Sequence, residues 1–319
     1  MILSVGLSPA WQKILVFDRL QSGQVNRART ARWCASGKVF NAGLAVHTLG
    51  GPGLTMAPVG GAARGPMEEE FRALGMAYRF LETQAATRVC TTVIDQATGQ
   101  ITELVEEGEA LLAEEQERFR VLYQEESRRA RVVLVMGSLP QGVSHTFYRE
   151  LIQETRCPLV LDFRGEGLLC VLDRNPLVVK PNREELEKTL GRSLKDEDAL
   201  LDAMRALNRK GAQWVVVTDG RGPVMVTSAT EIYRLHPAME TDRVVNPIGS
   251  GDAMAGAMAW KIGNVKIGNG KIGEGTRITE AVRWGMAAAA QNLQGLLPCR
   301  LDPTTLANEA ANIAMERLA

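Results

Sequence analysis

The sequence predicts an α/β protein whose central sheet is mainly parallel and covered by helices on both faces. Three observations carry this expectation. Four short runs, Val132-Val133-Leu134-Val135-Met136, Leu159-Val160-Leu161-Asp162, Leu177-Val178-Val179-Lys180 and Trp214-Val215-Val216-Val217-Thr218, are apolar at nearly every position, as strands buried on both faces are. Helical stretches separate them, and strand–helix alternation is the pattern of a parallel sheet. The 319 residues are 45% hydrophobic but only 5% aromatic, which suits a tightly packed interior better than a platform for stacking bases.

Taken in chain order, Met1–Gly6 has neither the basic flank nor the long apolar core of a secretory signal. Residues 11–34 and 86–107 break the alternation. The first mixes apolar side chains with bases, and residues 11–40 hold six of them (Lys13, Arg19, Arg27, Arg29, Arg32 and Lys38) against one acid, Asp18. The second reads as two alternating strands, Thr87–Asp95 and Gln100–Val105, around a turn at Ala97-Thr98-Gly99. These strands form either a small sheet projecting from the body or peripheral strands of the main sheet. From about residue 108 the alternation begins, with Leu112, Phe119 and Leu122 on one face of a charged helix. From Gly251 onward the chain reads as mostly helical. Within it, Lys-Ile-Gly recurs at 261–263, 266–268 and 271–273. Gly268–Gly273 matches G-x-G-x-x-G but lacks the preceding strand and following acid of a dinucleotide site, so a solvated loop between two helices is expected.

Composition excludes several classes. Lys+Arg and Asp+Glu number 37 each, so no global field draws the chain to nucleic acid. No run approaches the ~20 apolar residues that span a bilayer. The five cysteines (Cys34, Cys90, Cys157, Cys170 and Cys299) are scattered with no C-x-x-C pair, so neither a disulfide framework nor a zinc site is expected. A cytoplasmic protein is expected, made of one large domain and a smaller piece or of two domains.

The chemistry concentrates in Asn246-Pro247-Ile248-Gly249-Ser250-Gly251-Asp252, which leads into the small-residue helical run Ala253–Trp260. Glycines let successive N–H groups converge at a helix start, where the dipole favours an anion. Asp252 in that first turn is placed to take the proton of a hydroxyl attacking a γ-phosphoryl group. A Gly-rich turn with Asp252 as a helix cap reads the same way on its own. No Walker A pattern is present, since neither Gly37-Lys38 nor Gly270-Lys271 precedes Ser or Thr. A second such segment, Ser36-Gly37-Lys38-Val39-Phe40-Asn41-Ala42-Gly43, opens an earlier helical run.

Together these segments resemble the PfkB branch of the ribokinase-like carbohydrate kinases, and within it the 1-phosphofructokinase and tagatose-6-phosphate kinase group, with signatures G-G-K-G-x-N and N-x-V-G-x-G-D. The resemblance runs in family order through Ser8-Pro9-Ala10, Val25-Asn26-Arg27, Thr87-Arg88, Gly137–Gly142 and Lys180–Leu186 to Gly249–Asp252. It implies a ribokinase-like three-layer fold over 1–319 as a single kinase domain. A small β-sheet lid from about 11–34 and 86–107 closes on the sugar and forms a homodimer contact. The implied reaction is phosphoryl transfer from ATP, with Mg²⁺, to a phosphorylated ketohexose. Asp252 is then the base, and Gly249, Ser250 and Gly251 stabilise the transferred phosphoryl. Lys180, Asn182, Glu185, Thr218, Gly220 and Gly222 serve the nucleotide, with Glu185 reaching Mg²⁺ through water. Asn182 and Glu185 also read as a capping box, and Thr218–Gly222 as a hairpin turn. Gln12, Gly37, Lys38, Asn41, Arg88, Arg27 and Ser138 fall at the sugar end, where the bases of residues 11–40 are expected to gather.

Departures lie at that end. Gln12 stands where the family has Asp, Ser36 and Val39 replace glycines, and Val105 replaces a lid Asn. Val39 is expected to hinder close backbone approach. The competing expectations are a kinase of an unphosphorylated sugar or nucleoside, against which Arg27, Lys38 and Arg88 count, and a sugar-phosphate sensor without turnover, against which Gly249–Asp252 counts.

Overall fold

The computed structural model describes residues 1–237, 244–264 and 275–319. Its large sheet has ten strands. From one edge these are β5 (Tyr78–Thr83), β4 (Gly53–Gly60), β1 (Ile2–Val5), β8 (Val132–Met136), β9 (Leu159–Asp162), β10 (Val178–Val179) and β11 (Trp214–Val217), all parallel. The antiparallel strands β12 (Val224–Thr227), β13 (Ile232–Leu235) and β14 (Met315–Arg317) complete it. The four apolar runs are central strands, as their two-sided apolarity requires. In β8, Val132, Leu134 and Met136 enter one hydrophobic layer, while Val133 and Val135 enter the other.

Each layer is completed by helices. One holds α1 (Lys38–Thr48), α2 (Arg64–Ala73), α8 (Ser250–Asn264), α9 (Gly275–Gln294) and α10 (Pro303–Ala311). The other holds α3 (Ala113–Ser127), α4 (Phe147–Ile152), α5 (Glu166–Leu169), α6 (Arg183–Leu190) and α7 (Glu197–Arg209). Phe119 is buried on α3 as expected, but Leu112 caps the helix at 48% exposure. The inward stripe is Glu115, Phe119 and Tyr123, at i, i+4 and i+8. Glu115 is buried because its carboxylate accepts from Leu112 N–H (2.9 Å) and Gln84 N–H (2.7 Å).

A separate sheet of four strands runs β3 (Thr30–Ser36), β2 (Ala10–Phe17), β6 (Val89–Asp95), β7 (Gln100–Val105). Both segments that broke the alternation supply it. Ile14, Val16, Cys34 and Ile94 form its own apolar cluster, packed against Leu296 and Leu297.

The small-residue run of α8 has a packing cause. A Cβ on Gly256 would stand 2.6 Å from Ala42 O, so α1 and α8 approach at backbone distance only because that residue is glycine. That contact sets Asn41 of α1 beside Asp252 in the first turn of α8. Lys261-Ile262-Gly263, expected in a loop, is the last turn of α8. Ile262 is buried there, and Lys261 pairs with Glu280 (2.6 Å) over the Trp284 ring. The remaining repeats and the G-x-G-x-x-G match lie outside the described residues.

Candidate active site

The carboxyl ends of the parallel strands open onto one cavity of about 420 Å³, the position at which open α/β sheets bind ligands. Strand β9 ends on Asp162, and Lys180 and Thr218 follow β10 and β11; all three line the cavity. The small sheet forms the facing wall through Ala10 and Gln12 of β2, Cys90 of β6 and Glu103 of β7. The first turns of α1 and α8 supply Lys38, Asn41, Ser250, Gly251 and Asp252.

Charge alternates across the floor. Lys38 Nζ lies 2.9 Å from Asp162 Oδ1 and 3.0 Å from Glu185 Oε1, and Lys180 Nζ lies 2.9 Å from Asp162 Oδ2. Burial favours the neutral form of Asp162, but the two lysines outweigh it and hold the carboxyl below its ordinary range. For Lys38, burial opposes the charge, yet Asp162, Glu185 and Asp252 prevail and keep the ammonium protonated well above its usual range. Asp252 goes the other way. Burial pushes its carboxyl up, Asp162 adds to that, and Lys38, Lys180 and a hydrogen bond from Asn41 only partly offset it. Asn41 Nδ2 donates to Asp252 Oδ2 at 2.8 Å, and Ser36 Oγ donates to Asn41 Oδ1 at 3.1 Å.

The glycine turn before α8 is tightly held. Gly249 has φ of 87°, and a Cβ there would stand 2.8 Å from Pro298 Cβ. Ser250 N–H donates to Pro247 O (3.2 Å) and Ala253 N–H to Gly249 O (2.7 Å). Asn292 Nδ2 donates to Ile248 O (3.0 Å) and Ser250 Oγ (2.9 Å), clamping the turn to α9. At α6, Asn182 Oδ1 accepts from Glu185 N–H (2.7 Å), and Glu185 Oε2 accepts from Asn182 N–H (3.0 Å). The capping box thus exists, and Glu185 turns its other oxygen to Lys38. Thr218 stands before the hairpin turn that joins β11 to β12.

Of the residues singled out in the sequence, Gln12, Gly37, Lys38, Asn41, Arg88, Lys180, Asn182, Glu185, Thr218, Gly249, Ser250, Gly251 and Asp252 line the cavity. Arg27 lies exposed in the β2–β3 connection, Ser138 lies exposed after β8, and Gly220 and Gly222 lie in the hairpin turn; none of these four is in the lining. Of the six bases in residues 11–40, only Lys38 reaches the cavity. Lys13 lies over the Trp33 ring and Arg29 pairs with Asp18 on the surface. Val39 does not hinder approach to the cavity. It turns into the core, 1% exposed, and packs on Gly6 at the end of β1. Val105 is half exposed and outside the lining. Gln12, 2% exposed, donates from Nε2 to Thr92 Oγ1 at 2.7 Å, so part of its amide is already engaged. Sequence reasoning missed Asp162, Cys90 and Glu103. An Asp ending an otherwise apolar parallel strand was the available signal for the first.

A family model described as pfkB family carbohydrate kinase matches residues 7–304. The chain belongs to the PfkB family of carbohydrate kinases. Its catalytic class is accordingly that of an ATP-dependent sugar kinase. The 1-phosphofructokinase of Escherichia coli K12 is 28% identical over 263 residues, 81% of this chain and 83% of that protein. Phosphofructokinase-2 of Escherichia coli, solved in complex with potassium, superposes with a TM-score of 0.84 at 24% identity and covers 97% of each chain. Arabidopsis thaliana ribokinase, complexed with ribose and ATP, superposes at 0.70 with 19% identity, again covering 97% of both chains. The large sheet with its separate small sheet is therefore the ribokinase-like fold. Among the described residues of this PfkB-family chain, no helix is long and apolar enough to cross a membrane.

Proposed function

We propose that the chain transfers the γ-phosphoryl group of ATP to a hydroxyl of a phosphorylated ketohexose, of the fructose 1-phosphate or tagatose 6-phosphate type, with Asp252 as general base. The observation that carries this reading is Asp252 itself: a buried carboxylate with a raised proton affinity, in the first turn of a helix, lining the cavity beside a glycine turn and Lys38. Such a carboxylate accepts a hydroxyl proton more readily than an ordinary one, and its burial strengthens the charges that face it.

Arg88 holds the phosphate already on the sugar. Its guanidinium donates in this structure to the backbone carbonyls Pro9 O and Glu106 O, both at 3.4 Å, and a phosphate dianion is a stronger acceptor than either. The similarity to 1-phosphofructokinase supports that substrate class. Gln12 and Glu103 face the sugar hydroxyls, and the small sheet acts as a lid that closes with them and excludes water. The developing charge on the transferred phosphoryl falls to the first-turn amides, Gly251 foremost, since Ser250 N–H is spent on Pro247 O. Lys180, Asn182 and Thr218 border the nucleotide phosphates.

The donors fit Mg²⁺ carried on those phosphates rather than caged by protein. Among the described residues no group of three His, Cys, Asp or Glu is arranged to hold a metal ion, and Glu185 already binds Lys38 and Asn182 N–H, so it reaches the ion through water. When bound, that ion neutralises phosphate charge.

Replacing Asp252 with Asn should lower kcat roughly 10²- to 10⁴-fold, the usual worth of a general base, while ATP binding survives. Turnover near that of the parent protein would sink the assignment. Arg27 outside the cavity and the two carboxylates on Lys38 favour a second reading, a kinase of an unphosphorylated sugar. Arg88→Ala separates the two: it should raise KM for a phosphorylated substrate at unchanged KM for ATP, and leave a neutral substrate unaffected.

A further inference from the structure

Three buried side chains from three elements form a hydrogen-bonded file that ends on the proposed base. Ser36 closes β3, Asn41 lies in the first turn of α1 and Asp252 in the first turn of α8. They are 1%, 2% and 7% exposed, and the two links measure 3.1 Å and 2.8 Å. An ionised carboxylate only accepts, so Asn41 must present Nδ2 to Asp252. That choice leaves Oδ1 buried, and an unpaired buried carbonyl is costly. The Ser36 hydroxyl is the donor that meets it.

We propose that Ser36 is a positioning residue for the base: through Asn41 it locks the amide that orients the Asp252 carboxylate toward the substrate hydroxyl. The inference rests on Asp252 being the base. Within the file each donor polarises the next, so Ser36 strengthens the Asn41–Asp252 bond as well as fixing its direction. Asn41 is thereby committed to the base on one side and to Ser36 on the other.

The charged and titratable groups facing Asp252 are Lys38 from α1, Asp162 and Lys180 at the ends of β9 and β10, Glu103 from β7 and Cys299 after α9. None of them touches Ser36 Oγ in the bonds the structure shows. Removing the hydroxyl therefore acts on Asp252 through Asn41 and leaves that charge set in place. Loss of a donor to the ionised form makes the carboxyl harder to ionise, so the acid limb of the rate profile moves to higher pH.

The test is the pH profile of kcat for the parent protein, Ser36→Ala, Asn41→Ala, the double variant and Asp252→Asn, on the sugar phosphate the parent turns over. Ser36→Ala should lower kcat roughly three- to tenfold, the scale of one hydrogen bond, and shift the acid limb upward, with KM for ATP unchanged. In the Asn41→Ala background the same change should have no further effect, because the file is already cut. Ser36→Gly, which removes the hydroxyl without a new group, should reproduce Ser36→Ala, and a melting temperature that still rises with ATP shows both to be folded. An unmoved acid limb, or additive losses in the double variant, would overturn the proposal. If instead Asp252→Asn turns over normally, it is the base assignment that fails.

Discussion

Asp252, the proposed base, works against the stability of its own fold. Its folded proton affinity is raised, so its favourable contribution is full below the ordinary carboxylate range and is lost as pH rises through the folded value. At neutral pH the buried charge is a net cost, and Asp252→Asn should melt at a higher temperature than the parent protein. The gain should vanish as pH falls below the ordinary carboxylate range, where both states of Asp252 are protonated. Melting curves across that range check the sign, and a variant that melts lower at neutral pH would contradict it. Asp252 was legible in the sequence because its partners in the glycine turn are local. Asp162 was not, since the lysines that define it lie 124 residues before it and 18 after it in sequence, and only the parallel sheet brings them together.

At the scale of elements, the glycine turn and the first turn of α8 that follows it hold one glycine each, for different reasons. Gly249 needs its left-handed backbone and has no room for a Cβ, so Gly249→Ala should destabilise the chain by ~1–3 kcal/mol, as strain of this kind does. A Cβ on Gly251 would find Lys180 Nζ at 3.7 Å, an ordinary contact. Gly251→Ala should therefore fold and melt like the parent yet lose turnover, because on the proposed mechanism the methyl stands in the path of the transferred phosphoryl. Denaturant unfolding and kcat measured on both variants separate the two roles, and equal losses of stability would refute the distinction. Strand runs and the capping box at Asn182–Glu185 were readable because they are local patterns. The inward stripe of α3 was misplaced because Glu115 occupies a core position, kept there by two backbone N–H groups that no periodicity reveals. β1, β4 and β5, three of the seven parallel strands, went unread because the segments of the second sheet interrupt the alternation around them.

Across the whole molecule, the cavity lies between the two sheets. Gln12, Cys90 and Glu103 stand on one side, and Asp162, Lys180 and Asp252 on the other. The sheet assembled from residues 10–36 and 89–105 faces the body across that cavity, the placement that the proposed lid requires. Its outward side carries Trp33, 44% exposed and stacked on Trp11, together with Leu104, 59% exposed. We propose that this apolar face meets a second copy of the chain, as the family resemblance implies. Sedimentation equilibrium should then find a dimer that Trp33→Glu dissociates, and a monomeric parent protein would refute it. The six bases of residues 11–40 show the limit of reading charge along the chain. Lys13 and Arg32 lie on β2 and β3, Arg19, Arg27 and Arg29 lie in the connection between those strands, and the cavity receives only Lys38.

The most direct test is a single kinetic comparison: ATP consumption by the parent protein and by Asp252→Asn, against phosphorylated ketohexoses, free sugars and nucleosides in parallel. Turnover of phosphorylated ketohexoses alone is expected, with a roughly 10²- to 10⁴-fold lower kcat in the variant and ATP binding intact. Turnover confined to neutral substrates, or a variant as fast as the parent, would contradict it.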